Sequence, residues 1–336
     1  MSHENMFLIP FLIVVMGLLF LDLFVFNKKD HEVKLKEAAI WTGVWFSLGL
    51  LFALFLRLKG EWISGLTFDT IDQLNAYRKD LSLKYLSGYF LEESLSIDNI
   101  FVMIMIFASF GIPKQYYHRV LFWGIMGAIF LRLLFIFALG ALIKQFAWLL
   151  AVFGVILIYS GYKMIADKND KAVDTENHPV VKFASKWFKV SRQLDGHNFF
   201  TRIDGKRYIT PLFLVLLVIE FSDIIFAVDS IPAVFSITDD PFIVYTSNIF
   251  AIMGLRSLFF LLNDITDRFW MLHYGLGVLL CFIGFKMISH ELLGLEISTT
   301  VSLLVILGIL IGSISLSLAI KRKNSAEKTY ETFSQH

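Results

Sequence analysis

The sequence has a single cysteine, Cys281, in 336 residues, and charged residues make up only 18% of the chain. One cysteine excludes a disulfide framework, a CxxC redox pair and a thiolate metal site. Lys and Arg residues number 30 and Asp and Glu residues 29, so the formal net charge is +1. A chain so close to neutral has no bulk field that would attract a polyanion, and we expect no nucleic-acid partner.

Apolar residues form most of the sequence: 57% of the chain is hydrophobic, and 35 residues are Phe. A soluble protein of this length could not bury so much apolar surface. The composition therefore predicts an integral protein of the lipid bilayer and excludes a secreted enzyme or a disordered scaffold. We expect an all-α, polytopic membrane protein with about nine transmembrane helices, each of roughly 20 apolar residues. The nine stretches are 7–26, 38–58, 84–109, 118–140, 145–165, 209–235, 243–262, 269–288 and 298–320.

Lys and Arg residues predict the orientation of these spans, because they concentrate in cytoplasmic loops. With the N-terminus outside and the C-terminus in the cytoplasm, 21 of them are cytoplasmic, 6 lie on the opposite side and 3 lie within spans. Ten of the 21 fall between Lys163 and Arg207, around an insert at 166–208. Within this insert, "NHPVVKFASKWFKV" predicts an amphipathic helix on the membrane surface, and two short strands are expected around an Asp204-Gly205 turn.

Two parts of the chain repeat one another. "FGVILIYSGYKMI" (153–165) aligns with "LGVLLCFIGFKMI" (276–288), "LRLLF" (131–135) with "LRSLF" (255–259), and "EESLSIDN" (92–99) with "DIIFAVDS" (223–230). Three anchors in the same order and at nearly the same offset predict two three-helix repeats. Because three is odd and the connecting loop stays on one side, the second repeat should be inverted, as in many secondary transporters. An old duplication kept only for packing is the alternative.

The repeats divide the chain into five predicted parts. These are two N-terminal transmembrane helices with an external loop (1–83), the first repeat (84–165), the cytoplasmic insert (166–208), the second repeat (209–288), and the last transmembrane helix with a cytoplasmic tail (289–336).

Acidic residues inside the predicted spans are the strongest functional signal. A carboxylate that faces lipid at the helix centre costs roughly 2.5–3.5 kcal/mol on insertion scales, so these groups should face the bundle interior and bind something there. Glu93 is set aside, because Ile224 holds the equivalent position of the second repeat. The remaining candidate metal ligands are Glu92, Asp98, Glu220, Asp223 and Asp229.

Other polar residues of the spans could support this site. Arg132 and Arg256, one in each repeat, are expected to pair with the acids when no metal is bound. Two arginines cannot neutralise five acids, and a positively charged substrate would supply the missing positive charge. Asn99 and Ser230 provide further oxygen atoms, and Asp22 in the first span is a weaker candidate.

The candidate ligands are all oxygen atoms, which suit Mg²⁺, Ca²⁺ and Mn²⁺, and the residues alone do not choose among these ions. His273 aligns with an apolar residue of the first repeat, and we expect it to be packed or interfacial. Pro232 cannot donate to the Val228 carbonyl, which predicts a helix break that frees this oxygen beside Asp229. We expect no permanently bound cofactor.

Two long motifs, "YFLEESLSIDNIFV" and "EFSDIIFAVDSIPAVFSITDDPFIVYTSNIFAIMGLR", resemble the signatures of the TerC family, closest to its Alx-type members. "LFLDLFVF" in the first span and "DGHNFFTRIDGKRYITP" in the insert extend the likeness over nearly the whole chain. The resemblance implies a bacterial-type inner-membrane protein of the LysE-like transporter superfamily. It also implies an association with manganese efflux, with metal supply to exported enzymes and with tellurite resistance, and it implies that transport needs the five acidic positions.

Together these observations predict an inner-membrane transporter that exports Mn²⁺ or a similar divalent cation, with protons as a candidate counter-ion. The alternative is a TerC-type scaffold that delivers metal or confers tellurite resistance without transport. An intramembrane aspartyl protease would need a GxGD motif, which the sequence lacks, so we expect no enzymatic activity. An exporter of organic cations or amino acids rests on superfamily analogy alone.

Overall fold

The computed structural model describes residues 34–166 except 65 and 147, residues 178–265 except 192, residues 271–320 except 296, and several positions between 10 and 18. Most of the first predicted span, 7–26, lies outside the described residues, and so does the candidate Asp22. The first part of the insert, 167–177, lies outside them as well.

Ten α-helices and one β-hairpin make up the described chain from residue 34 onward. The elements are α1 (Leu35–Lys59), α2 (Glu61–Ser64), α3 (Ile71–Ser109), α4 (Tyr117–Gln145), α5 (Leu149–Ala166), α6 (Pro179–Trp187), β1 (Phe200–Ile203), β2 (Lys206–Ile209), α7 (Pro211–Phe235), α8 (Pro241–Ile265), α9 (Leu272–Leu293) and α10 (Thr299–Ala319). A 3₁₀ turn at Lys114–Tyr116 leads into α4.

Seven helices of the described chain are long and apolar enough to cross a membrane, namely α1, α4, α5, α7, α8, α9 and α10. The predicted span 84–109 lies in α3, whose 39 residues would extend about 58 Å at a rise of 1.5 Å per residue. Three acidic residues in that stretch distinguish it from the apolar seven. The expectation of an all-α, polytopic membrane protein is confirmed.

Two local expectations are wrong. The external loop predicted up to residue 83 becomes helical from Ile71, because the Thr70 hydroxyl accepts a hydrogen bond from the Gln73 amide at 3.2 Å and caps α3. The helix break predicted at Pro232 does not occur, since α7 continues through this proline to Phe235. Pro232 lies in the last turn of α7, where losing one intrahelical hydrogen bond disrupts little downstream helix.

The helices α5 and α9 approach each other closely through equivalent glycines of the two predicted repeats. A Cβ atom added at Gly161 would lie 2.5 Å from the carbonyl oxygen of Gly277, and one added at Gly284 would lie 2.5 Å from that of Gly154. Because Gly154 faces Gly284 while Gly161 faces Gly277, the two helices run antiparallel. Small residues allow this contact between helix backbones, as they commonly do within membranes.

The helix α3 lies centrally and contacts α1, α7, α8 and α10. The insert contributes α6 and the hairpin before α7. The predicted strands are confirmed as an antiparallel pair, and the turn places Asp204 (φ 49°) and Gly205 (φ 73°) in the left-handed region that a two-residue hairpin turn requires.

Candidate functional site

A small cavity of about 50 Å³ lies where α3, α4, α5, α7 and α9 meet. Its volume could accommodate a few water molecules. The polar lining comes from both predicted repeats and consists of Glu92, Asp98, Asn99, Arg132, Ser160, Asp229 and Ser230. Apolar side chains complete it, namely Leu95, Met164, Phe226 and Leu280.

Arg132 links the equivalent acids of the two repeats, Glu92 and Asp223, which we call the inner pair. Its guanidinium group donates to Glu92 and lies 3.4 Å from Oδ1 of Asp223. The same group donates to Oδ1 of Asn248 on α8. Asn99 adds a further contact, since its Nδ2 donates to Asp223 Oδ1 at 2.9 Å. Glu92, Asp223 and Arg132 are at most 3% exposed, so each charge depends on its partners rather than on water.

Local helix geometry explains this convergence. Glu92 and Asn99 are seven residues apart on α3, which places them on one face two turns apart. Arg132 comes from the middle of α4, and Asp223 comes from the middle of α7. Charged groups at these depths avoid lipid by turning toward the same interior point.

Several buried oxygen atoms around the inner pair have no hydrogen-bond partner among the described residues. They are Oε2 of Glu92, Oδ1 of Asn99, Oδ2 of Asp223 and Oγ of Ser230. Buried polar atoms are normally hydrogen-bonded, so these oxygens have capacity for a further ligand. Carboxylate, amide and hydroxyl oxygens are the donor set that hard divalent cations take.

Asp98 and Asp229 also occupy equivalent positions in the two predicted repeats, and we call them the outer pair. Asp98 Oδ1 lies 3.3 Å from Nδ1 of His273, whose side chain is 36% exposed. Asp229 Oδ1 accepts a hydrogen bond from the Ser160 hydroxyl at 3.4 Å. Both acids line the cavity, but no arginine contacts them in the described part of the chain.

Three described candidates, Asp223, Glu220 and Arg256, lie outside the cavity lining. Glu220 packs its carboxylate against Gly127 of α4, and its Oε2 is buried with no hydrogen-bond partner in the described ranges. Arg256 lies 3.1 Å from Nε2 of His118 rather than beside the inner pair, where Arg132 lies. The structure therefore brings together six of the predicted residues in the cavity and attaches Asp223 through Arg132 and Asn99.

No group of three or more His, Cys, Asp or Glu side chains in the described ranges is arranged to hold a metal ion. The described acids are spread along the cavity, and Arg132 supplies the positive charge between the inner pair. Metal binding would therefore require the side chains to move closer to one another.

Three polar residues of this site were missed by the sequence predictions. Asn248 and Ser160 had a weak signal, because each is a polar residue within a predominantly apolar span. His273 was set aside because it has an apolar counterpart in the other repeat. Its proximity to Asp98 depends on how α9 packs near α3, which no repeat alignment reveals.

Comparison with known proteins places these residues in a family context. The profile of the "Integral membrane protein TerC family" matches residues 77–325. An uncharacterized membrane protein of Myxococcus xanthus is 43% identical over 93% of this chain and 92% of its own. Proteins named "Putative membrane-bound redox modulator Alx" are 42% identical in Salmonella typhi, over 92% of each chain, and 40% identical in Escherichia coli K12, over 95% of this chain and 96% of the relative. No solved structure matches the chain.

Proposed function

The chain belongs to the TerC family of integral membrane proteins, and we propose that it transports divalent metal cations. Its substrate in this proposal is Mn²⁺, which it exports across a bacterial-type inner membrane in exchange for protons. The N-terminus lies outside and the C-terminus lies in the cytoplasm, as the distribution of Lys and Arg indicates.

The convergence of acids from both repeats on one buried cavity is the observation that carries this proposal. Glu92, Asp98 and Asp229 line the cavity, and Asp223 is held beside it by Arg132. Four carboxylates against one arginine leave a deficit of positive charge that a divalent ion would supply. The unpartnered oxygens of Glu92, Asn99 and Asp223 are suitable ligands for such an ion.

Alternating access requires two similar gates, which inverted repeats provide. The proposal assigns these gates to two inverted three-helix repeats within a bundle of nine transmembrane helices. The antiparallel contact between α5 and α9 supports this arrangement. In the repeat alignment Gly154 corresponds to Gly277 and Gly161 to Gly284. In the structure Gly154 contacts Gly284 and Gly161 contacts Gly277, so the two contacts are related by exchange of the repeats. A two-fold axis in the membrane plane would produce this reciprocal pairing.

Proton exchange follows from the energetics of export. Moving a divalent cation out of an inside-negative cell costs about 4.6 kcal/mol per 100 mV, twice the cost for a single charge. The outer pair suits exchange, since Asp98 and Asp229 have only neutral or titratable neighbours among the contacts described above. A carboxylate in that setting can bind either a proton or the metal.

The test compares Asp98→Asn and Asp229→Asn with the exposed control Asp239→Asn in cells under manganese stress. Both outer-pair variants should lose manganese tolerance while reaching the membrane at the wild-type level, because an amide cannot supply the charge that binds the ion. The control should behave as wild type. Normal tolerance in both outer-pair variants at normal expression would refute the site.

Purified protein in proteoliposomes then addresses the transport step directly. Flux of Mn²⁺, Ca²⁺ and Mg²⁺ is measured at two pH values with an internal pH dye. Manganese flux with proton counterflow supports exchange, whereas metal flux without counterflow excludes it. Metal binding with no flux of any ion would instead support a metal-delivery scaffold. The redox role in the relatives' names would then need a metal-dependent route, because Cys281 has no second cysteine to pair with in this chain.

A further inference from the structure

The segment from α6 to β2 combines basic charge with exposed aromatic side chains. Residues 178–209 contain seven Lys or Arg residues and two Asp residues. Trp187 is 69% exposed and Phe183 66% exposed, and Phe188 and Phe200 are exposed as well. Aromatic rings that alternate with basic residues on a surface are typical of segments that lie in a membrane interface.

The packing of α6 places this surface beside the membrane-spanning helix α7. Ala184 packs with Leu214 at the start of α7, in a cluster that also includes Val181 and Leu217. The ring of His178 contacts that of Phe221 at 6.3 Å. Because Phe221 is ten residues after Pro211, it lies about 15 Å along a membrane-spanning helix. The helix α6 therefore lies alongside a stretch of α7 that is long and apolar enough to cross the membrane, so its exposed aromatic face can reach lipid.

The hairpin carries an unusual pair of charges. Arg202 and Arg207 are directly opposite each other in the β register, so their side chains project from the same face. Like charges at such positions repel, and neither arginine forms an ion pair with a described residue. The opposite end of this face packs against the membrane helix, where the Phe200 ring lies 4.8 Å from that of Phe213. The hairpin thus places the two arginines on one face, beside the start of a membrane-spanning helix.

An open cavity of about 720 Å³ adjoins these arginines. Its lining combines both guanidinium groups with the polar Asn198 and Thr201 and with the rings of Phe188, Phe200 and Tyr208, and Asp195 is its only acidic residue among the described ones. Lys189 adds charge nearby, with its ammonium group 5.9 Å from the centre of the Tyr208 ring. Cavities of this size commonly hold small ligands, and paired arginines match the oxygens of a phosphate group.

We propose that α6 and the hairpin form a binding site for the headgroup of an anionic phospholipid from the membrane that the chain spans, with Arg202 and Arg207 holding the phosphate. The exposed rings of α6 pack beside the acyl chains, and the lysines add attraction for the net negative headgroup. A zwitterionic lipid carries its own ammonium group, which the basic cavity repels. The site is separate from the acidic cavity and does not depend on which ion is transported.

The experiment uses the full chain in an uncharged detergent and follows its melting temperature as lipid is added. Dioleoylphosphatidylglycerol should raise the melting temperature of the wild type more than dioleoylphosphatidylcholine does. In Arg202→Gln/Arg207→Gln, the lipid concentration for half of this effect should rise roughly 25-fold, since each basic residue contributes about a factor of five. The control Arg57→Gln/Lys144→Gln removes the same charge from two other exposed helix ends and should match the wild type.

Three outcomes would overturn the proposal. They are equal stabilisation of the wild type by both lipids, an unchanged half-effect concentration in the hairpin variant, and equal stabilisation by millimolar inorganic phosphate, which would assign the arginines to a free anion.

Should the hairpin variant fail to fold, fluorescence of the wild type supplies a second test. The difference between the wild type and Trp187→Phe isolates the Trp187 signal in vesicles that contain brominated lipid. Brominated phosphatidylglycerol should quench this signal more than brominated phosphatidylcholine at the same mole fraction. Equal quenching by the two lipids would contradict a preference for anionic headgroups.

Discussion

The inner and outer acid pairs occupy equivalent positions in the two predicted repeats but have different surroundings. Glu92 and Asp223 are buried and share the fixed positive charge of Arg132. Asp98 and Asp229 line the same cavity and contact His273 and Ser160 instead. Arg132 supplies a permanent positive charge to the inner pair, whereas the contacts of the outer pair given above include no permanent cation. The stability of the inner pair thus depends on a resident cation, whereas the outer pair has no such cation to displace when an ion binds or leaves.

Removing Arg132 should produce the largest effect. Arg132→Gln leaves Glu92 and Asp223 buried without their cation, and breaking a buried ion pair in this way costs about 3–5 kcal/mol. We expect most of the variant to be lost from the membrane, with the remainder melting well below the wild type in detergent.

A compensating variant separates charge from packing at the inner pair. Arg132→Gln combined with Glu92→Gln and Asp223→Asn keeps the approximate volumes and removes all three charges, so it should recover much of the lost melting temperature. If Arg132→Gln had the melting temperature of the wild type, Arg132 would not stabilise the inner pair. That result would contradict the difference that we draw between the inner and outer pairs.

Changing His273 should have a smaller effect that is confined to transport. His273→Ala removes the group 3.3 Å from Asp98 at a position where the side chain is 36% exposed, so we expect a smaller loss of packing than at a buried residue. A lost hydrogen bond of about 1 kcal/mol corresponds to roughly a fivefold higher KM for Mn²⁺ flux at an unchanged kcat. Proteoliposome kinetics measure both constants.

Two further variants show whether His273 acts by orienting Asp98. His273→Asn retains a donor near the carboxylate, so its KM should lie between those of the wild type and His273→Ala. His118→Ala alters a histidine beside Arg256 and should leave the KM at the wild-type value. A fall in kcat without a change in KM in His273→Ala would contradict the orienting role.

Sequence patterns predicted the helical fold and most of the acidic cavity, because both depend on strong local or repeated signals. Runs of apolar residues determine which segments can enter a membrane, and the cost of a lipid-facing carboxylate predicted that Glu92, Asp98 and Asp229 turn inward. Glu220 could not be placed from sequence, because its contact with Gly127 depends on how closely α7 approaches α4. The different partners of Arg132 and Arg256 also depend on how the helices pack. Equivalent positions of the two predicted repeats need not have equivalent neighbours, so the sequence could not predict these partners.

Glu61 and Arg78 also form a contact between a carboxylate and an arginine, but this contact lies near water. We therefore expect it to stabilise the fold less than the buried contacts of Arg132 do. Arg78 donates to both carboxylate oxygens of Glu61, through Nε at 2.6 Å and through a second guanidinium nitrogen, ahead of the predicted span 84–109. The hydrogen bond from Arg78 lowers the pKa of Glu61 below its usual value of 4.5. A lowered folded-state pKa means that the ionised pair stabilises the fold above the unfolded-state pKa and that this contribution is lost as the pH falls through the folded-state pKa.

Glu61→Gln should therefore lower the melting temperature slightly and by a constant amount between pH 6 and pH 8, and the difference from the wild type should shrink below about pH 4.5. Melting curves of both proteins across this range measure the difference, with the solvent-facing control Asp72→Asn showing how much a helix-terminal acid contributes without an arginine partner. A loss as large as that of Arg132→Gln would mean that burial does not distinguish the two arginine–carboxylate contacts. A difference that grew at acidic pH would give Glu61 a raised rather than a lowered pKa.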